Sequence, residues 1–331
     1  MEAVWLQLLN GLDKGGAYAL IALGLTLIFG TLGVVNFAHG AFFMIGAFCA
    51  VAFSRLLQLS KTVKDESITF FESYTKVPYL ELWLGDTGRA LIDYSVPLSL
   101  LLAVPVMLIL GIALERGLIR HFYRRSHAEQ ILVTFGLAIV LQEIVKAWFG
   151  ANPIPTPAPE AFSGTANLGA LSYPWWRLVY LVFSLAVIGF VFAFLRFTTF
   201  GMVVRAGMRD RETVGLLGIH IERRFTIVFG IAVVVAGLAG AMYTPILAPD
   251  YHMGMDFLVL SFVVVVVGGM GSLGGAVLAG FLLGVLQSFA SMNEVRAFAP
   301  GIDQIIIYLV AVGILLLRPR GLMGAKGVME T

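Results

Sequence analysis

The sequence predicts an all-α polytopic membrane protein of about 8–9 transmembrane segments, two of whose hydrophobic runs are broken by Gly-rich stretches. Three observations carry this. The 331-residue chain is 59% hydrophobic and 13% charged, with a mean hydropathy of +0.91, whereas soluble domains carry about 25% charged residues. Several uncharged runs are long enough to cross a hydrocarbon core of ~30 Å. Two runs, 15–54 and 257–293, contain no Lys, Arg, Asp or Glu and are too long for one crossing. As a single helix at ~1.5 Å per residue, the second would reach roughly 55 Å.

Taken in order, residues 1–14 (MEAVWLQLLNGLDK) read as a short interfacial helix anchored by Trp5. No basic n-region precedes the first apolar run, so no cleavable signal is expected. The run from Gly15 to Ser54 is interrupted at FGTLGVVNFAHG, residues 29–40. Long uncharged runs with glycine-rich interruptions are how discontinuous helices look in sequence. The polar insert 55–95 holds five Lys/Arg and six Asp/Glu, and a short strand or an amphipathic helix would suit it. Val96–Leu114 is a span with Pro105 as an expected kink. Ile131–Phe149 is a span carrying Glu143 and Lys146, expected to form an interfacial pair at i,i+3. The Pro-rich segment 150–176 favours extended structure. Leu178–Leu195 and Phe225–Ala248 are spans, the latter with Ala236-Gly237 and Ala239-Gly240 for close helix contact. The final span is Ile302–Leu317.

Within 257–293 lies Gly268-Gly269-Met270-Gly271-Ser272-Leu273-Gly274-Gly275. Such glycines weaken a helix by ~1 kcal/mol each and permit unusual backbone. Irregular backbone at membrane depth survives only where protein or water satisfies its amides. The break is therefore either a turn at the membrane surface or part of a buried pathway.

Basic residues set the expected topology. The segments 116–125, 196–224 and 318–326 hold four, six and three of the 22 Lys/Arg. The positive-inside rule puts these segments, and the C-terminus, in the cytoplasm. Counting back, both ends of 257–293 fall outside, so Gly268–Gly275 is the inner turning point of a paired excursion. The insert 55–95 then lies outside, as does the N-terminus if Gly15–Ser54 crosses twice.

The sequence has no GxxxxGK[ST] loop, no HExxH, no GxSxG and no close His or Cys cluster. Cys49 is a lone core-type residue in an apolar run. The net charge of +2 is explained by topology and gives no argument for nucleic acid. Intramembrane polar residues are costly and often functional. Asn36 and His39 either line a pathway and cap a half-helix beginning at Gly40, or form a capped surface turn. In the cytoplasmic connection, Thr198-Thr199 can cap a helix over Met202–Leu217 with Val203, Ala206, Val214 and Leu217 as its apolar side. Arg209 and Glu212 can pair along it, and Gly218 is placed to stop it. Such a helix either fixes topology as a solvated loop or docks on a partner subunit.

Several stretches together resemble one family: the permease subunits of branched-chain amino acid ABC importers, of the H-type rather than the longer M-type. They are GGAYALIALGLTLIFGTLGVVNFAHGAFFMIGAF (15–48), LERGLIR (114–120), ILVTFGLAIVLQE (131–143), FTTFGMVVRAGMRDRETVGLLGI (197–219), VVVVVGGMGSLGGAVLAGFLLG (263–284) and LLLRPRGLMG (315–324). The insert 55–95 departs from the family pattern. The resemblance implies one ABC importer transmembrane domain over 1–331, multi-pass in a bacterial inner membrane. It implies import of branched-chain amino acids, or of urea or short amides as in relatives. This subunit would have no ATPase site and bind no cofactor itself, ATP being used by partners. Those partners would be a second, M-type permease, two cytoplasmic ATPases and a periplasmic solute-binding protein, in membrane lipid. Arg205, Arg209, Asp210, Glu212, Gly215 and Gly218, in the loop 196–224, would couple to an ATPase. Asn36, His39, Gly40, Gly268, Gly269, Gly271, Ser272 and Gly274 are the candidate translocation path. An ion-coupled secondary transporter would need carboxylates near the breaks, which neither break contains. A membrane scaffold would have no purpose for them.

Overall fold

The computed structural model describes residues 2–65, 73–123, 125–169, 171–209, 211–298 and 300–324. In chain order they form α1 (Glu2–Leu32), α2 (His39–Leu57), a hairpin β1 (Ser60–Asp65) and β2 (Ser73–Pro78), α3 (Tyr79–Leu84) and α4 (Asp86–Asp93). Next come α5 (Ser95–Gly117), α6 (His127–Phe149), a hairpin β3 (Thr165–Leu168) and β4 (Leu171–Pro174), and α7 (Trp175–Phe197). Then follow α8 (Thr199–Arg209), α9 (Arg211–Leu216), α10 (Ile221–Tyr243), α11 (Met253–Gly268), α12 (Leu273–Ala290), α13 (Asn293–Phe298) and α14 (Ile302–Leu317). Seven of these, α1, α2, α5, α6, α7, α10 and α12, are long and apolar enough to cross a membrane. The apolar helices α11 and α14 are shorter, at 16 residues each. The chain is a multi-helix membrane protein; among the described residues, strands occur in two antiparallel hairpins between helices.

Two local expectations need correction. Residues 1–14 form no separate interfacial helix; α1 runs unbroken for 31 residues. No proline interrupts 2–32, and Gly11 and Gly15 sit where α12 leaves no room for a side chain. The connection 196–224 is two helices rather than one over Met202–Leu217, with Asp210 between them and outside the described residues. Its apolar side is also rotated: Val204 and Val214 are buried, while Ala206 and Leu217 are exposed. The insert carries both a hairpin and two short helices. Helix α5 continues through Pro105.

Helix directions follow from contacts. Gly11 meets Val285 and Gly15 meets Phe281, so α1 and α12 are antiparallel. Asp13 meets Arg177 and Gly16 meets Ser184, so α1 and α7 are parallel. Phe42 lies against Phe229, and Ala50 packs with Ala241, making α2 parallel to α10. Gly111 approaches Val233 and Gly237 approaches Met107, making α5 antiparallel to α10. Phe37 stacks near Phe262 and Phe43 near Phe257, so α11 runs back along α2. One end of the bundle therefore gathers Leu32, the α5–α6 connection, α8, the turn after Gly268 and the tail 318–324. This end carries Arg116, Arg120, Arg196, Arg205, Arg223, Arg224, Arg318 and Arg320. The opposite end holds both hairpins and the loop 244–252.

The core is central rather than peripheral. Over their most apolar stretches α1, α10 and α2 are 89%, 78% and 61% buried, against 28%, 22% and 28% for α5, α6 and α7. The outer three expose apolar side chains such as Leu101, Leu132 and Phe190, as helices facing lipid do. Where α1 crosses α12, small residues let the backbones touch: a Cβ on Gly284 would stand 2.5 Å from Gly15 Cα, and one on Gly280 2.7 Å from Ala19 Cα. Close packing through small residues replaces the hydrophobic drive that lipid removes.

Candidate functional site

Between α1 and α2 the backbone leaves helical form over 33–38 and returns at His39. His39 lies beside Gly24 of α1 and the Ala232 carbonyl of α10. Gly24 is eight residues before Leu32, so α2 begins about 12 Å above the end of α1 at ~1.5 Å per residue. The irregular stretch thus climbs inside the bundle, where its amides must be satisfied by protein. The Phe37 N–H donates to Thr134 Oγ1 of α6 at 3.0 Å, and that hydroxyl sits 3.4 Å from the Val35 carbonyl. Asn36, 1% exposed, accepts the Ala38 N–H on Oδ1 at 3.0 Å, while its own carbonyl takes the His39 N–H. Asn36 therefore closes the turn before α2 instead of capping the helix itself, whose N-cap is Ala38. The His39 ring is fully buried, near the Ile21 backbone and edge-on to Phe42, and makes no well-formed hydrogen bond. Gly40 lets α11 approach: a Cβ there would meet Leu258 Cβ at 2.5 Å.

The second break is a tight turn at the basic end. Gly269 and Gly271 have φ of +99° and +84°, a region L side chains rarely adopt. Gly268 packs against Gly275, and Ser272 caps α12 by accepting the Gly275 N–H at 3.1 Å. The tail closes over it: Leu322 and Met323 donate to the Val267 and Gly268 carbonyls at 2.8 and 3.0 Å. A Cβ on Gly274 would stand 3.9 Å from the Met323 sulfur, and Gly271 lies against Gly30 near the end of α1. The predicted path residues of the two breaks are not brought together, since Gly40 meets the first turns of α11 and Gly268 is its last residue; the breaks touch only where Gly30 meets Gly271.

At the same end, Thr198 caps α8 by accepting the Gly201 N–H at 3.1 Å. Gly207 packs on Ile221 and Phe225, and Met208 reaches Gly30. Arg205, Gly215 and Gly218 are exposed, with Met202, Leu216 and Leu217 beside them at 58%, 87% and 72%. Gly218, at φ +77°, terminates α9 through an N–H to the Gly215 carbonyl. The side chains of Arg209 and Glu212 lie outside the described residues, as does Asp210.

Sequence reasoning missed a polar network at the opposite end. Asp13 on α1, 1% exposed, pairs with Arg177 of α7 at 3.2 Å and accepts from Tyr173 Oη at 3.1 Å. Arg177 also donates to Asn10 at 2.9 Å. Burial and the Asp13 charge push the Tyr173 phenol up beyond its ordinary range. The signal was the helical continuity of 1–14, which Gly11-x-x-x-Gly15 carries into the first span. Glu143 and Lys146, in contrast, form the expected exposed pair at 3.4 Å. Among the described residues, no group of three or more His, Cys, Asp or Glu could hold a metal.

The family model for the branched-chain amino acid transport system / permease component matches residues 7–315. The chain is 29% identical to the high-affinity branched-chain amino acid transport system permease protein BraD of Pseudomonas aeruginosa, over 97% of this chain and 96% of that one. It is 25% identical to the permease protein LivH of Escherichia coli, also over 97% and 96%. A probable branched-chain amino acid transport permease of Methanocaldococcus jannaschii is 24% identical over 92% and 88%. No solved structure matches at a significant level. With the family's match running through both breaks, α8, α9 and most of α14, the chain belongs to the branched-chain amino acid transport system permease components.

Proposed function

We propose that this chain is the H-type permease of an ATP-driven, binding-protein-dependent importer of branched-chain amino acids in a bacterial inner membrane. The observation that carries this is the family match over residues 7–315. A second, M-type permease, two cytoplasmic ATPases and a periplasmic binding protein complete the importer.

The basic end is the cytoplasmic one by the positive-inside rule. Nine apolar helices, α1, α2, α5, α6, α7, α10, α11, α12 and α14, then cross, with the N-terminus outside and the C-terminus inside. The insert 55–95 faces the binding protein. The α8–α9 segment, with exposed Arg205, Gly215, Gly218 and an apolar tip of Leu216 and Leu217, docks in an ATPase groove. Arg209, Asp210 and Glu212 belong to the same element. It rests on Gly30 through Met208, beside the Gly271 turn, so its displacement by nucleotide reaches α1 and α12. Asn36, His39 and Gly40 form an internal wall of the path, supported by irregular backbone at bundle depth. Gly268, Gly269, Gly271, Ser272 and Gly274 form its inner closure.

The test is uptake of labelled leucine, urea and acetamide by proteoliposomes carrying the assembled complex and loaded binding protein. Leucine uptake driven by ATP is expected; urea uptake without leucine uptake overturns the substrate assignment. In the same assay, Leu216→Asp with Leu217→Asp uncouples hydrolysis from uptake. Wild-type coupling in that variant sinks the docking assignment.

A further inference from the structure

A cleft of about 330 Å³ opens between α11, α12 and α14, lined by Asp256, Val259, Leu260, Gln287, Gln304 and Tyr308. It belongs to neither glycine break. Measured along each helix at ~1.5 Å per residue, Asp256 is about 18 Å from Gly268, Gln287 about 21 Å from Leu273 and Gln304 about 20 Å from Leu317. The polar groups therefore form one layer in the outermost turns of the three helices, three residues from Met253, three from Ala290 and two from Ile302. Asp256 and Gln304 point out of this chain, not into its core. A carboxylate and amides in that layer face water at the outer mouth of the bundle or bound polar matter, not lipid chains. No cation of this chain pairs with Asp256 among the described residues.

The cleft is chemically two-ended. Gln287 already accepts from Tyr18 Oη, which commits its carbonyl and leaves its amide N–H groups free to donate. With the Gln304 amide and the Tyr308 hydroxyl it offers donors beside a single carboxylate. Val259 and Leu260 lie one turn of α11 nearer the cytoplasmic end and supply an apolar floor. A carboxylate for an ammonium, donors for a carboxylate and an aliphatic floor are what a free aliphatic amino acid requires. The volume is at the lower end of small-molecule sites.

We propose that this cleft binds the zwitterionic aliphatic amino acid during its passage. Asp256 takes the ammonium group, Gln287, Gln304 and Tyr308 the carboxylate, and Val259 and Leu260 the side chain. The proposal rests on the importer reading above and names where its substrate touches this subunit.

The test uses the assembled complex in proteoliposomes with leucine- or alanine-loaded binding protein. Asp256→Asn removes the ammonium partner and is expected to lower uptake of both by about tenfold. Val259→Phe fills the floor and is expected to lower the leucine-to-alanine uptake ratio by about tenfold, since methylene-sized changes in an apolar pocket discriminate at that level. Should Asp256→Asn fail to assemble, Val259→Phe carries the test alone. An unchanged ratio in an assembled Val259→Phe complex overturns the proposal, and so does failure of Val259→Phe to assemble, which marks the cleft as a subunit contact. If the wild-type complex imports neither amino acid, the importer reading itself fails, which is a separate result.

Discussion

At Asp13 a single carboxylate ties three elements together: α1 that bears it, α7 through Arg177 and β4 through Tyr173. Removing one member of a buried pair leaves an uncompensated charge, whereas replacing both with apolar groups restores packing. Asp13→Ala is expected to cost about 3 kcal/mol, with a smaller loss in Asp13→Leu with Arg177→Met. Thermal unfolding of the purified protein in detergent measures both; a double variant as unstable as the single one contradicts the account. Tyr173 adds a pH signature. Its phenol is raised in the folded state, first by burial and then by Asp13, so folding favours the protonated form. The stability this contributes is complete below the ordinary phenol value of 10.0 and is lost as pH rises above it. Tyr173→Phe should flatten the alkaline limb of stability against pH; an unchanged limb assigns it to another group. None of this was legible in MEAVWLQLLNGLDK, because the partners of Asp13 lie some 160 residues away in sequence. Asp256 was hidden for a different reason: it begins a helix that reads from sequence as the end of an outer loop.

The helices themselves were largely readable, because each uncharged run has the length a bilayer imposes. Their edges were less so. Helix α10 begins at Ile221, and its first turn carries Glu222, Arg223 and Arg224, which hydropathy alone assigns to the loop. The break at 33–38 could be located by its glycines, but not its support, since Thr134 comes from another helix. That hydroxyl gives an element-level prediction. Thr134→Val leaves the Phe37 N–H buried without an acceptor and should cost about 1–3 kcal/mol, while Thr134→Ser keeps the bond. Equal stability of the two variants would show that the break is held otherwise. At the α1–α12 crossing, Gly284→Leu would drive a side chain into Gly15, and overpacking there should cost more than about 1 kcal/mol. At Leu278, exposed on the same helix, a substitution to Ala should cost far less.

Taken whole, the molecule has one charged end that joins every element proposed to move. The tail bonds to the Gly268 turn, the turn touches the end of α1, and α8 rests on the same glycine of α1. The orientation of that end is what converts these contacts into a transport mechanism, and its proposed place in the cytoplasm rests on the charge count. In a Cys49→Ala background, Trp83→Cys, in a segment 80% exposed at that side chain, should react with a membrane-impermeant maleimide on intact spheroplasts. Leu217→Cys, at a side chain 72% exposed, should react only after permeabilisation. Ser272→Cys separates the two readings of the glycine turn: labelling from the cytoplasm in every nucleotide state marks a static surface turn. Labelling that changes when ATP is trapped on the partner subunits would place the turn in the moving closure, because the tail must lift from the Val267 and Gly268 carbonyls before Ser272 is freed. Reversed reactivity of Trp83→Cys and Leu217→Cys would invert the bundle, and the docking role of α8 and α9 would fall with it.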